Sequence, residues 1–220
     1  MNAITILVLI GPLLIGLPFT PNGKQEIQNT VAQNPAKVAG PLDEGTPFGL
    51  RMGMTLAQMG GNPKNVAPGF YTLTSVPEPH SAFESYSIQV GPQTGLCWVK
   101  GIGRTLTTSV YGIELKHEFE SMKKSLREIY GEPKVFDLLL PRSIWNEPRD
   151  WMMSVVKKER ILAATWDEKS KASLPMNIKY VALGVSALNT NRGYIVLEFA
   201  FTNESKCEAE IREQQNRSLM

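Results

Sequence analysis

Imidazole and thiol are both scarce in this chain. Among 220 residues there are two histidines, His80 and His117, and two cysteines, Cys97 and Cys207. Finger-type metal centres need Cys and His ligands at short fixed spacings, and these four residues have none. His117-Glu118 begins like the zincin helix motif, but Ser121 stands where the second histidine belongs. A Cys–His nucleophile needs a thiolate made by a neighbouring base. Cys97 lies between Leu96 and Trp98 in a predicted strand, where burial raises a thiol's pKa. His80 follows the loop Pro77-Glu78-Pro79 and reads as a solvent-exposed turn residue, and His117 falls on the polar side of a predicted helix as a surface histidine. No phosphate-cradling G-x-x-x-x-G-K-[ST] loop and no G-x-S-x-G elbow occurs. Gly101-Ile102-Gly103 lacks the third glycine of a dinucleotide fingerprint, with Leu106 in its place, so these glycines are assigned to a bulge or strand bend. The carboxylate pairs Glu118/Glu120 and Glu208/Glu210 lie two apart on predicted helices and so point to different faces. The sequence therefore names no catalytic, cofactor-binding or metal-ligating residue.

Concentrated charge is also missing. The net charge is +2, and the basic pairs Lys123-Lys124 and Lys157-Lys158 read as solvated helix faces. Nucleic-acid binding needs a clustered basic footprint, and the chain has none.

What the chain does have is an apolar run at its very start. Ile4 to Phe19 holds ten Ile, Leu and Val side chains, with no charged side chain before Lys24. It falls short of the roughly 20 residues that a spanning helix prefers. Gly11, Pro12, Gly16 and Pro18 interrupt it. Such a run suits the apolar region of a secretory signal. The n-region carries only the terminal amine and no A-x-A site follows promptly, which keeps an uncleaved anchor open, and the alternative to export is a buried N-terminal helix or strand of a cytosolic domain. Residues 1–20 are accordingly assigned as a signal peptide or N-terminal membrane anchor. This places the remainder in the periplasm or outside the cell, free or tethered to the inner membrane. Residues 21–47 are rich in Asn, Gln, Pro, Gly and Ala, show no apolar periodicity, and read as a disordered linker.

About 170 residues follow, enough for one domain or two small fused ones. Thr55 with Gln58 forms a capping box for a short helix. Phe70–Val76, Phe83–Val90 and Leu96–Ile102 read as strands, the last two joined by the turn Gly91-Pro92-Gln93-Thr94-Gly95. Leu115, Phe119, Met122, Leu126 and Ile129 recur at spacings of four and three, the signature of one apolar helix face. Glu120 and Lys124 are spaced to pair on its outside. Gly131 and Pro133 stop that helix. Then come a helix from Pro148 to about Lys158, strands at Arg160–Trp166, Ile178–Ala187 and Tyr194–Thr202, and a last helix capped by Ser205 and Glu208 with Cys207 and Ile211 on its inner side. Each half thus reads as helix, three strands, helix. The expected fold is α+β: antiparallel sheet with helices packed on one face, as a single domain or as tandem units 48–133 and 134–220. The other face would be free to bind.

In an oxidising compartment Cys97 and Cys207 could form one disulfide closing a long loop. The alternative is two separate buried thiols. Trp98 and Trp166 fall in strands and read as core. Trp145 and Trp151 flank Asn146-Glu147-Pro148-Arg149-Asp150. With Arg149 they make a candidate binding edge, since Trp and Arg dominate interface hot spots. The competing reading is a staple that packs the start of the helix onto the domain.

The phrase Phe48-Gly49-Leu50-Arg51-Met52-Gly53-Met54-Thr55, with Tyr130-Gly131-Glu132-Pro133 ending a long helix, resembles a pattern of uncharacterised bacterial exported proteins. The Gly-Met-Thr helix start followed by antiparallel strands is similar to small outer-membrane assembly lipoproteins and to the β-lactamase-inhibitor-protein-like fold. The likeness covers Phe48 to Ile102. Those lipoproteins carry a lipidated Cys just after the signal, and here no Cys precedes Cys97. The resemblance implies a module that binds another envelope protein, as assembly factor, inhibitor or immunity protein. An envelope hydrolase with a non-standard site is the alternative. A pocket bringing His80 or His117 onto Cys97 or a serine would favour the hydrolase, and an open aromatic sheet face would favour binding.

Overall fold

A computed structural model of the chain describes residues 45–217. The assigned leader, and the linker as far as residue 44, lie outside the described residues. The fold begins with a 3-10 turn, Pro47–Gly49, and a short helix α1, Leu56–Met59. The Thr55 backbone N–H donates to Gln58 Oε1 at 2.9 Å, as the capping pattern predicts. Four antiparallel strands follow: β1 (Lys64–Ala67), β2 (Phe70–Leu73), β3 (Phe83–Gly91) and β4 (Gly95–Gly103). After the short β5 (Leu106–Thr107) comes the long helix α2, Ile113–Tyr130. The second half holds β6 (Gly131–Glu132), β7 (Lys134–Leu139), α3 (Trp151–Val156), β8 (Arg160–Trp166), β9 (Lys171–Ala172), β10 (Ile178–Asn189), β11 (Arg192–Phe201) and α4 (Glu204–Arg217).

The main sheet has nine strands among the described residues and runs β1-β2-β3-β4-β11-β10-β8-β7, with β5 added to β11. Among the described residues every strand pairing is antiparallel, which with the helices gives an α+β fold. β4 pairs with β11, so the stretches 48–133 and 134–220 share one sheet. β1 and β7 were not expected as strands. Both are edge strands with largely exposed side chains, which leaves almost no alternation for a sequence reading to find.

Strict alternation sorts the other strands into two faces. Ile88, Val99, Leu197, Phe199, Val181, Leu183, Ala164 and Trp166 are fully buried on one face. α2 and α3 cover that face. Leu115, Phe119, Met122, Leu126 and Tyr130 of α2 join its core, with Tyr130 rather than Ile129 completing the stripe. On the outside of α2 the acid Glu120 pairs with Lys123 at 2.6 Å, not with Lys124 as its spacing suggested. The Trp166 indole N–H donates to Gly131 O at 2.8 Å and ties the end of α2 to the sheet. Phe48 closes the far side of the core. It sits in the left-handed region (φ 59°), where a bulky residue is held only by its surroundings, here Phe83, Tyr86 and Phe199. Gly101 faces this cluster. A Cβ there would lie 2.8 Å from the Phe83 ring and 3.0 Å from Phe48, so the glycine serves close packing.

α4 takes the other side of the sheet, over the β3–β4 end. Its Glu204 and Glu208 act electrostatically on Tyr180, which by register shares a face with Trp98 and Ala200. Its Ile211 fills the space above Gly69, where a Cβ would stand 2.4 Å away. α4 begins one residue before Ser205, so the Ser205–Glu208 box lies inside the helix.

Candidate functional site

The cysteines are paired. Cys97 and Cys207 form a disulfide with a Cα–Cα distance of 6.3 Å, and neither presents a thiol. With Ile211 they make a small buried cluster separate from the main core. Further bonds hold α4 in place. Glu210 Oε2 accepts the backbone N–H groups of Gln93 and Thr94 at 3.0 and 2.9 Å, and the Thr94 hydroxyl donates to Oε1. Burial pushes the Glu210 carboxyl up, but these donors outweigh it and hold the group below its ordinary value. Asn203 Nδ2 donates to Leu96 O at 3.1 Å, and Lys179 pairs with Glu204 at 2.8 Å.

α4 does not extend over the whole face. Beyond it lie Ile102 and Lys100 on β4, Val196 and Glu198 on β11, Ala182 and Gly184 on β10, Ile161 and Ala163 on β8, and Phe136 on β7, all half-buried. Leu138 (42 % exposed) continues this surface to the free β7 edge. Among the described residues the ion pair crossing it is Lys100–Glu198 at 2.7 Å, between register partners. Trp98 belongs to this face too, near Phe70, and is half-buried rather than core. Tyr180 beside it has its phenol pushed far above the usual range, by burial first and then by Glu204 and Glu198. An apolar strip with a free edge strand is surface that proteins otherwise cover or charge.

The candidate edge of Trp145, Arg149 and Trp151 is not assembled. Trp151 is 4 % exposed and belongs to the main core. Its ring lies against Gly112, and Lys116 Nζ sits 4.3 Å from its centroid. Trp145 is half-buried and Arg149 exposed. The physical reason is the 3-10 turn Pro148–Asp150, which rolls Trp151 inward as the first residue of α3. That is the staple arrangement.

A cavity of about 330 Å³ opens under α2, lined by His80, Ser81, Ala82, Arg104, Leu106, Glu118, Ser121, Met122, Ser125 and Ile195. His80 is fixed in it. Its backbone N–H reaches the Tyr86 hydroxyl at 3.4 Å, its ring meets Phe83 edge-on, and the Ala82 N–H donates to its Nδ1 at 3.1 Å. A backbone N–H can only donate, so Nδ1 is an acceptor and the proton of the neutral ring sits on Nε2. Burial lowers the His80 pKa, opposed by the Glu118 carboxylate. The His80 lone pair needed to deprotonate a serine is therefore already engaged. His117 is exposed on the outer side of α2. Sequence reasoning missed Arg104 and Glu118 because the two lie on different elements and share no motif.

Among the described residues no helix is long and apolar enough to cross a membrane, and no cluster of three or more His, Cys, Asp or Glu could hold a metal ion. Comparison with known proteins returns no matching family model, curated protein or solved structure.

Proposed function

We infer that the protein is an exported, non-catalytic module that binds another protein of the bacterial cell envelope through the uncovered part of its sheet. The observation that carries this reading is the half-buried strip Ile102, Val196, Ala182, Ile161, Ala163 and Phe136 beside the free β7 edge. A flat surface of that kind suits a partner with a complementary apolar patch, and the Lys100–Glu198 pair would fix register more than affinity. The apolar N-terminal run supports export, and a disulfide is compatible with an oxidising compartment. The test is a pull-down of the tagged, exported chain from envelope extract, run beside Val196→Lys. Recovery of a specific partner by the native chain and its loss in the variant supports the reading. Equal recovery by both removes the sheet face from the contact.

One observation favours a hydrolase instead: the cavity gathers His80, Glu118 and three serines, of which Ser121 and Ser125 come from α2. A fluorophosphonate probe separates the two readings. Covalent labelling at Ser121 or Ser125 would establish the hydrolase, and the engaged Nδ1 of His80 predicts no labelling.

A further inference from the structure

Glu118 is the least satisfied charge around the cavity. The residue is half-buried, its carboxylate acts electrostatically on His80, and among the described residues it has no Lys or Arg partner and no hydrogen-bond donor. An unpaired carboxylate on the wall of a cavity attracts any cation that can reach it. Arg104 is its counterpart. Its Nε donates to Ser81 O at 2.7 Å, which anchors the guanidinium plane, while among the described residues no carboxylate pairs with its remaining N–H groups. These two charges of opposite sign share one cavity without neutralising each other. The same lining holds His80, whose Nε2 carries the ring proton, the hydroxyl of Ser121, and the apolar side chains of Leu106, Met122 and Ile195, with Arg104 and Ser121 exposed at its mouth.

We propose that this cavity binds a small zwitterion of the α-amino-acid class, its ammonium at Glu118, its carboxylate at Arg104 and its aliphatic side chain on the Leu106–Met122–Ile195 wall. Each charge on the ligand meets the opposite charge on the protein, so the bound state carries no excess charge. Arginine suits a carboxylate because its planar fork gives paired hydrogen bonds. The volume, about 330 Å³, admits a ligand of amino-acid size and little more. The site lies under α2, on the covered side of the sheet, and does not depend on the open face.

The probes are L-norleucine, L-norleucine amide, which lacks the carboxylate, and N-acetyl-L-norleucine, which lacks the ammonium. Each is titrated into the full chain and followed by calorimetry and by the backbone amide resonances of Ala82 and Ser121. Norleucine should bind saturably, and each truncated probe should bind about tenfold more weakly, as expected for the loss of one charge-assisted contact. Glu118→Gln should weaken norleucine and its amide, while Arg104→Gln should weaken norleucine and leave the amide unchanged. Ser121→Met, which puts a longer side chain into the lining, should weaken binding. Thermal melts of all three variants separate lost binding from lost folding. Absence of saturable binding by norleucine overturns the proposal, as does binding unchanged in Glu118→Gln. Equal affinity for norleucine and its amide removes Arg104 from the site and overturns the zwitterion assignment.

Discussion

The two faces of the sheet are made from alternate residues of the same strands, yet they differ in how they are covered. On β11, Leu197 and Phe199 are fully buried beneath the helical layer, while Val196 and Glu198 between them are half-buried on the other side. The covered face is sealed by two helices and the Phe48 cluster, mainly through one large apolar core. The opposite face has one helix, α4, fastened at one end by a disulfide, a carboxylate over a turn and an asparagine bridge. Hydrophobic burial needs area, and α4 offers only Cys207 and Ile211 as apolar buried residues. Specific bonds replace area there, and the half-buried strip lies beyond α4.

That contrast can be broken from either side. The largest effect is expected from the fastening. Replacing both cysteines by serine opens a crosslink spanning 110 residues, for which loop-closure entropy gives about 4–5 kcal/mol of lost stability. Chemical denaturation with and without reductant measures it. Next is the covered face. Leu197→Ala should cost about 3 kcal/mol, the middle of the range for a fully buried leucine. Gly112→Ala follows. The glycine precedes α2 at φ 68°, and a Cβ there would stand 2.1 Å from the Trp151 ring, so a loss of at least about 1–2 kcal/mol is expected in a thermal melt.

A pH effect should come from the cavity. The His80 pKa lies below its ordinary value of 6.5 in the folded chain, so below about pH 6.5 the unfolded chain takes up the proton first. The stability this histidine contributes is complete above that pH and is lost as pH falls through the folded value. His80→Gln should flatten the slope of the denaturation midpoint in that window. Smallest in stability is Val196→Ala, within about 0.5 kcal/mol, because it removes atoms from the half-buried side. If Val196 cost as much as Leu197, the two faces would be equally sealed and the contrast would fail.

Much of the covered side was legible in the sequence because its signals are periodic. The α2 stripe, the β3–β4 hairpin and the β10–β11 hairpin each carry many residues whose spacing repeats one geometry. Arg160–Trp166 was placed residue for residue. Non-periodic features were not legible. β7 is an exposed edge strand whose hydrophobic residues Val135 and Leu138 fall on opposite sides, so alternation gives no face to it. Sequence separation hides the Cys97–Cys207 pairing, and local spacing hides the inward roll of Trp151. The cavity was invisible for the same reason, since its charges come from the ends of β4 and the middle of α2. Placing helices on one face captured α2 and α3, while the side taken by α4 follows from a chain reversal after β11 that periodicity cannot report.

The most direct test puts a photo-reactive benzoylphenylalanine at Tyr194, on the open face, and in a second protein at Lys124, on the outer side of α2. Both are expressed as the full-length chain, irradiated in intact cells and resolved by mass. The account predicts a discrete protein adduct from position 194 and none from 124. An adduct from 124 alone, or none from 194, contradicts it.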